Sequence, residues 1–207
     1  MNLAKLFELQ RQLDEHIERE HPRQEGEDRL AKKILALYSE LGELLNEWRG
    51  FKFWSNDQEP RTYKKHICPI CHGEGYFSIT EEWRYSKCEE CDGEGYTHES
   101  NPLLEEYVDC LHFILSIGLE LGITEIHNLS SDKGADLLFM FMEVNESSII
   151  LIQYAIDGND AYSSIAYIDM FEKFLGLGEM LGFTWEQIEE AYLRKNAVNH
   201  ERQNNNY

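Results

Sequence analysis

The sequence predicts an all-α helical bundle broken once by a small inserted metal-binding module. Three observations carry this. Outside residues 57–100 the apolar residues recur mostly at three- and four-residue steps, the period of a helix with one buried face. Residues that cap helices stand where several of those patterns begin or end. Inside 57–100 the period gives way to two copies of C-x-x-C-x-G-E-G-Y, "CPICHGEGY" and "CEECDGEGY".

The elements follow in order. Leu3, Leu6, Phe7, Leu13 and Ile17 give the first segment a helical stripe, and Pro22 and Gly26 break the chain after it. A second helix runs from about Asp28 to Trp48 on a stripe of Leu30, Ile34, Leu37, Leu41, Leu44 and Leu45. Asn101 and Pro102 read as an N-cap and first-turn residue, opening a third helix, "LLEEYVDCLHFILSIGLELG", that stops at Gly122. Two more helices are predicted near 133–157 and 160–181, although "IILIQYA" has strand propensity. Thr184 and Gln187 form a capping-box pattern before a last helix, and the tail "RQNNNY" is polar. The chain therefore divides into a first core part at 1–56, an insertion at 57–100 and a second core part at 101–207.

The totals restrict what the protein binds. Nineteen Lys+Arg stand against 39 Asp+Glu, a field that repels nucleic acid and anionic membrane. A polyanion can bind only where cations neutralise the acids; otherwise the excess charge serves solubility. No stretch is read as apolar for long enough to span a bilayer, and the amphipathic, acidic N-terminal segment lacks a secretory apolar run, so a cytoplasmic protein is expected. The cysteines agree, because in a reducing compartment paired C-x-x-C motifs point to metal before disulfide. Cys68, Cys71, Cys88 and Cys91 give C-x2-C-x16-C-x2-C, the spacing of a closed four-sulfur Zn²⁺ site with structural rather than catalytic duty. This repeat resembles the zinc-binding repeats of DnaJ-type chaperones over these forty-odd residues only. The knob is either purely structural or a docking surface for another macromolecule.

Two acid pairs flank the insertion. Glu40 and Glu43 are three apart on the second helix, Glu106 and Asp109 three apart on the third. That spacing puts each pair on one helix face. Both pairs interrupt apolar stripes, where four acids without counter-charge repel one another. Hard, oxygen-preferring Mg²⁺ removes the conflict and retains sites for phosphates.

With these motifs the sequence resembles the dimeric dUTPases of the all-α NTP pyrophosphatase superfamily, relatives of the MazG-like pyrophosphohydrolases. The matching pieces are "QRQLDEHI", "SELGELLNEWRGFKFWS", "EEYVDCLHFILSIGLELG" and "YLRKNAVNHERQNNNY". The superfamily's E-x-x-E and E-x-x-D motif falls on Glu40, Glu43, Glu106 and Asp109; the linking segment is longer than usual because the cysteine module occupies it.

The resemblance implies hydrolysis of dUTP to dUMP and pyrophosphate, with two or three Mg²⁺ ions, attack at the β-phosphorus and one motif glutamate, here Glu43, as base. It implies a homodimer and, in some relatives, a repressor-type protein partner. Lys195, Asn196, Asn199, Arg202, Gln203 and Tyr207 supply phosphate donors in place of a frayed polar tail, with Lys52 a further candidate. Gln10 and Asp14, four apart on the first helix, are placed for uracil, and Phe53 or Trp54 covers the ring or else belongs to the core. His112 either supports the metal ligands from behind or is a satisfied core histidine. The alternatives are the same chemistry on dCTP or a broad nucleotide range, and a protein-binding module with inert carboxylates.

Overall fold

The structure, a computed structural model, describes residues 2–78 and 85–205. Six helices appear among the described residues: α1 (Leu3–Glu20), α2 (Arg29–Trp48), α3 (Pro102–Glu120), α4 (Leu137–Ile156), α5 (Asp160–Met180) and α6 (Trp185–Asn204). Four short strands, β1 (Lys64–Ile67), β2 (Tyr76–Ser78), β3 (Tyr85–Lys87) and β4 (Tyr96–Ser100), lie between α2 and α3. The all-α expectation holds, and the segment containing "IILIQYA" is helical within α4.

Local chemistry sets the ends. Side-chain oxygens of Asn2, Asp28, Asn101 and Asp136 each accept a hydrogen bond from the backbone N–H three residues on, satisfying a donor that the helix itself leaves unpaired. Thr184 and Gln187 close the capping box in both directions, at 3.3 and 2.9 Å. After α3 the chain turns at Gly122, whose φ of +76° suits a residue without Cβ.

The central element is α3. It packs against α1, α2, α5 and α6, and Leu103, Tyr107, Val108, Leu111, Ile114, Leu115 and Ile117 are buried on it. Leu37, Leu41 and Leu44 of α2 are fully buried. Tyr107 stacks on Phe174 of α5 with ring centroids 4.3 Å apart and donates its hydroxyl to the Phe174 carbonyl at 3.1 Å. α4 lies along α5 and also meets α2. It corrects the expectation about apolar length: its 20 residues are long and apolar enough to cross a membrane, although only 33% of the relevant window is buried in the chain. Glu143, Asn145 and Glu146 near its middle are costly inside hydrocarbon. Ser147 of α4 instead joins Asp169 and Lys173 of α5 in a polar contact at 2.7 and 2.8 Å.

In the insertion, β1 pairs antiparallel with β4 and β2 with β3. Lys64 lies opposite Ser100, so the module enters and leaves the bundle at one place.

Tyr107→Phe should lower unfolding stability by about 0.5–1.5 kcal/mol, because it removes the hydroxyl's hydrogen bond to the Phe174 carbonyl. Urea denaturation followed by circular dichroism measures this, with an unchanged m-value expected.

Candidate active site and metal centres

Residues of α1, α2, α3 and α6 enclose a cavity of about 640 Å³. Its polar wall is one line along α3: Asp109, His112, Phe113 and Ser116 all border it, and Glu106 continues the line by one turn. These steps of three and four residues keep one face toward the cavity while the remaining faces stay apolar and buried. α2 contributes Glu40 and Lys33, α1 contributes Gln10 and Asp14, and α6 contributes Lys195, Asn199 and Arg202.

At one end Glu40, Glu106 and Asp109 each offer a carboxylate oxygen within 4.8 Å of the others. Burial and the neighbouring acids Asp109, Glu43 and Glu40 push Glu106 up to about 7. Burial, then Asp109 and Glu43, raises Glu40 as well. Asp109 is raised by burial even though Lys195 donates a short hydrogen bond to its Oδ2. Glu43 is exposed beside this group and outside the three-carboxylate cluster; its charge is felt by both neighbouring glutamates. A half-buried set of acids lifted by mutual repulsion is what a hard divalent cation relieves, so the donor set fits Mg²⁺.

At the other end the groups hydrogen-bond to one another. Asp14 accepts from Gln10 Nε2 at 2.7 Å, from Ser116 Oγ at 2.6 Å and from Lys33 Nζ at 3.2 Å. Gln10 Oε1 is 2.8 Å from both His112 Nδ1 and the Tyr192 hydroxyl. His112 is only 5% exposed, and burial together with the charge of Lys195 lowers it to about 3, keeping it neutral. Its hydrogen bond goes to Gln10 rather than to a carboxylate, which places it at the Gln10 end and not behind the acids.

Among the other expected phosphate donors, Asn196 and Gln203 do not border the cavity, and each has one buried side-chain atom without a hydrogen bond. Tyr207 lies outside the described residues. Lys52, Phe53 and Trp54 do not border the cavity. Phe53 is 86% and Trp54 65% exposed, so the reading of these rings as core is corrected, and neither lines this cavity. The loop explains this: Arg49 ends α2 in the left-handed region at φ +64° and is held by Asp57, turning the following residues outward. Sequence reasoning missed Lys33, Phe113, Ser116 and Tyr192. The continuation of the Glu106–Asp109 spacing to His112 and Ser116 was the available signal for the α3 members.

The four paired cysteines form a second centre. They are buried and unoxidised, with Sγ atoms mutually within 4.8 Å. Cys68 and Cys88 are 3.8 Å apart and Cys71 and Cys91 3.6 Å; a tetrahedral Zn²⁺ with bonds of about 2.3 Å needs sulfurs about 3.8 Å apart. The two repeats interlock: Cys68 N–H donates to Gly95 O at 3.0 Å and Cys88 N–H to Gly75 O at 2.8 Å. A Cβ on Gly75 would sit 2.3 Å from Gly93 O, and one on Gly95 2.4 Å from Gly73 O, which explains the glycines. Although burial opposes it, the N–H groups of Gly75 and Gly73 lower Cys71 to about 7. Burial pushes Cys88 up to about 11 in the same cluster, so of the two Cys71 is the thiol more readily ionised to ligate a metal.

A sequence model of the dUTPase family matches residues 2–68 and 92–207, leaving unmatched only a stretch inside the cysteine module. Neither curated proteins nor solved structures give a match.

Raised acids make stability fall with pH. Glu106 binds its proton more tightly folded than unfolded, so the folded state is favoured below about 4.5 and loses that advantage as pH rises to about 7. In a chelator, the melting temperature should therefore decline over this interval, less steeply in Glu106→Gln. Added Mg²⁺ should restore it most at the upper end. Scanning calorimetry across pH, with and without the ion, gives the comparison.

Proposed function

The chain belongs to the dUTPase family and is a dUTP pyrophosphatase, and we propose that it works with Glu40, Glu43, Glu106 and Asp109 as ligands to two or three Mg²⁺ ions. The observation that carries this reading is the half-buried cluster of Glu40, Glu106 and Asp109, which shares one cavity with Gln10 and Asp14. When bound, Mg²⁺ supplies charge neutralisation for a triphosphate and acidifies a bound water.

The rest falls to the chain's own residues. Glu43, exposed at the edge of the cluster, accepts the proton of the attacking water. Lys195 exchanges its contact with Asp109 for phosphate oxygen, and Asn199 and Arg202 on the same helix add donors, Arg202 in forked geometry. Asn196 and Gln203 bring polar atoms that lack partners in the chain. Lys52 and Tyr207 remain candidates for the same role. Gln10 and Asp14 hold uracil. Discrimination against dCTP is set at that end of the cavity, where donor and acceptor positions are fixed.

The cysteine cluster holds a structural Zn²⁺, and its unpaired thiols suit the reducing cytoplasm. The protein assembles as a homodimer through α4 and α5, where Leu138, Phe139, Met142, Ile149 and Ile165 expose apolar side chains. Exposed apolar side chains of this number on two packed helices suit an interaction surface. A second reading gives the module a partner of its own, a repressor-type protein, since Ile67 and Ile70 beside the cysteines are exposed.

Three outcomes test this. Pyrophosphate release across a nucleotide panel should be fastest with dUTP and need Mg²⁺. Glu43→Gln should lose roughly a hundredfold or more in kcat, and Asp109→Asn should lose Mg²⁺-dependent turnover; a chain with both changes that hydrolyses dUTP normally defeats the assignment. Cys88→Ser should lose its single equivalent of zinc, read by a chromogenic chelator, while retaining dUTP hydrolysis.

A further inference from the structure

The base end of the cavity contains a run of groups whose hydrogen-bond polarity follows from one end to the other. Lys33 Nζ can only donate. It reaches Asp14 Oδ2 at 3.2 Å. A carboxylate can only accept, so the side of the Gln10 amide that stands 2.7 Å from Asp14 Oδ1 must be its NH₂. The Gln10 oxygen then faces His112 Nδ1 and the Tyr192 hydroxyl, each at 2.8 Å. Both must donate to it. The neutral imidazole therefore carries its hydrogen on Nδ1 and leaves Nε2 a bare acceptor. That atom is buried and makes no hydrogen bond, in a side chain that borders the cavity. Tyr192 holds the ring in place by stacking, with centroids 4.1 Å apart and planes at 15°.

We propose that Lys33 is a positioning residue for base recognition: through Asp14 it fixes the Gln10 amide and the His112 tautomer, so that the pocket meets the base with one hydrogen-bond polarity. The proposal rests on the reading that Gln10 and Asp14 receive the base. With this polarity the second N–H of Gln10 is a donor beside the remaining lone pairs of Asp14. The imide edge of a 2,4-dioxopyrimidine offers the complement, a carbonyl beside an N–H. Without the Lys33 ammonium, Asp14 Oδ2 keeps only the Ser116 hydroxyl. The carboxylate can then swing off the Gln10 amide, which, no longer pinned at Oδ1, can turn over, and the pocket presents a mixture of polarities that matches no single edge.

Lys33 is well placed to be probed alone. It also contacts Glu120, at 2.9 Å, but Glu120 keeps a second cation in Arg23, at 2.7 Å. Removing the ammonium thus leaves Asp14 as the carboxylate short of a cation. No group of the carboxylate cluster hydrogen-bonds Lys33, so the reacting end is left intact.

The test compares parent, Lys33→Met and Lys33→Arg as full-length protein. Nitrogen-15 NMR of the imidazoles in the free chain reads the tautomer, with the His112 signals assigned by their absence in His112→Gln. The parent should show the Nδ1–H form. Lys33→Met should show a mixture and raise the KM for dUTP roughly tenfold, the loss of about one charge-assisted hydrogen bond, with a smaller change in kcat. Lys33→Arg should restore both readouts. A folded Lys33→Met protein with the parent tautomer, or with the parent KM, overturns the proposal. A parent that shows the Nδ1–H form but hydrolyses no dUTP overturns the functional reading instead.

Discussion

Burial of acids on α3 is the constraint from which the rest of the site follows. A helix packed against α1, α2, α5 and α6 can carry polar groups only along one line, and every group facing that line must answer it. Leaving a charge desolvated and unpaired is among the most costly things a fold can do. The two ends of the α3 line answer differently. His112 and Ser116 hydrogen-bond to Gln10 and Asp14 within the chain. Glu106 and Asp109 meet another acid, Glu40, and Lys195 is bonded to Asp109. The first end is preorganised for a neutral, shaped ligand part; the second is preorganised for positive charge from outside the chain. A nucleotide with its metal ions has both parts in that order.

The long-range field adds a further condition. At a formal net charge of −20 the molecule repels a bare triphosphate. Around the cavity, however, Lys33, Lys195, Arg23, Arg29 and Arg202 gather a substantial share of the basic side chains. Several of them are already paired, Lys33 with Asp14 and Glu120 and Arg29 with Glu18 and Glu27. They cannot neutralise a triphosphate without giving up those partners. A substrate that arrives with divalent ions avoids this exchange, because its charge is reduced before contact and the acids receive cations at the same moment. An acidic surface of this kind repels a free polyanion more than its metal complex, and more strongly at low ionic strength.

Much of this was legible in the residues. The stripes of α2 and α3, the caps at Asp28, Asn101 and Thr184 and the turn at Gly122 are local signals, and local signals survive folding. The acids stood out because Glu40, Glu106 and Asp109 break apolar patterns. What the sequence hides is direction. Phe53 and Trp54 read as ring-covering or core residues, yet a left-handed Arg49 held by Asp57 sends them into solvent. Glu43 has the same spacing logic as Glu40 but is exposed, since three residues are not a whole helical turn. Lys33 and Tyr192 come from helices distant in sequence from their partners, and nothing in their own neighbourhoods marks them. Their roles exist only once α1, α2, α3 and α6 are assembled.

The placement of the cysteine module shows how a bundle accepts an insertion between the two helices that carry its acid pairs. α2 and α3 must keep their relative position to within the reach of a carboxylate, so whatever joins them must not pull on them. Two features meet this need. Arg61 donates its N–H to Glu47 O at 2.9 Å and accepts from Leu103 N–H at 3.1 Å, tying the end of α2 to the start of α3 before the module begins. The antiparallel pair β1–β4 then brings the entering and leaving strands together, Lys64 opposite Ser100. Beyond that point the module closes on its own glycines and thiols, with Cys68 and Cys88 each bonded to the other repeat. The acid pairs therefore remain a single site although a separate small unit stands between them in sequence.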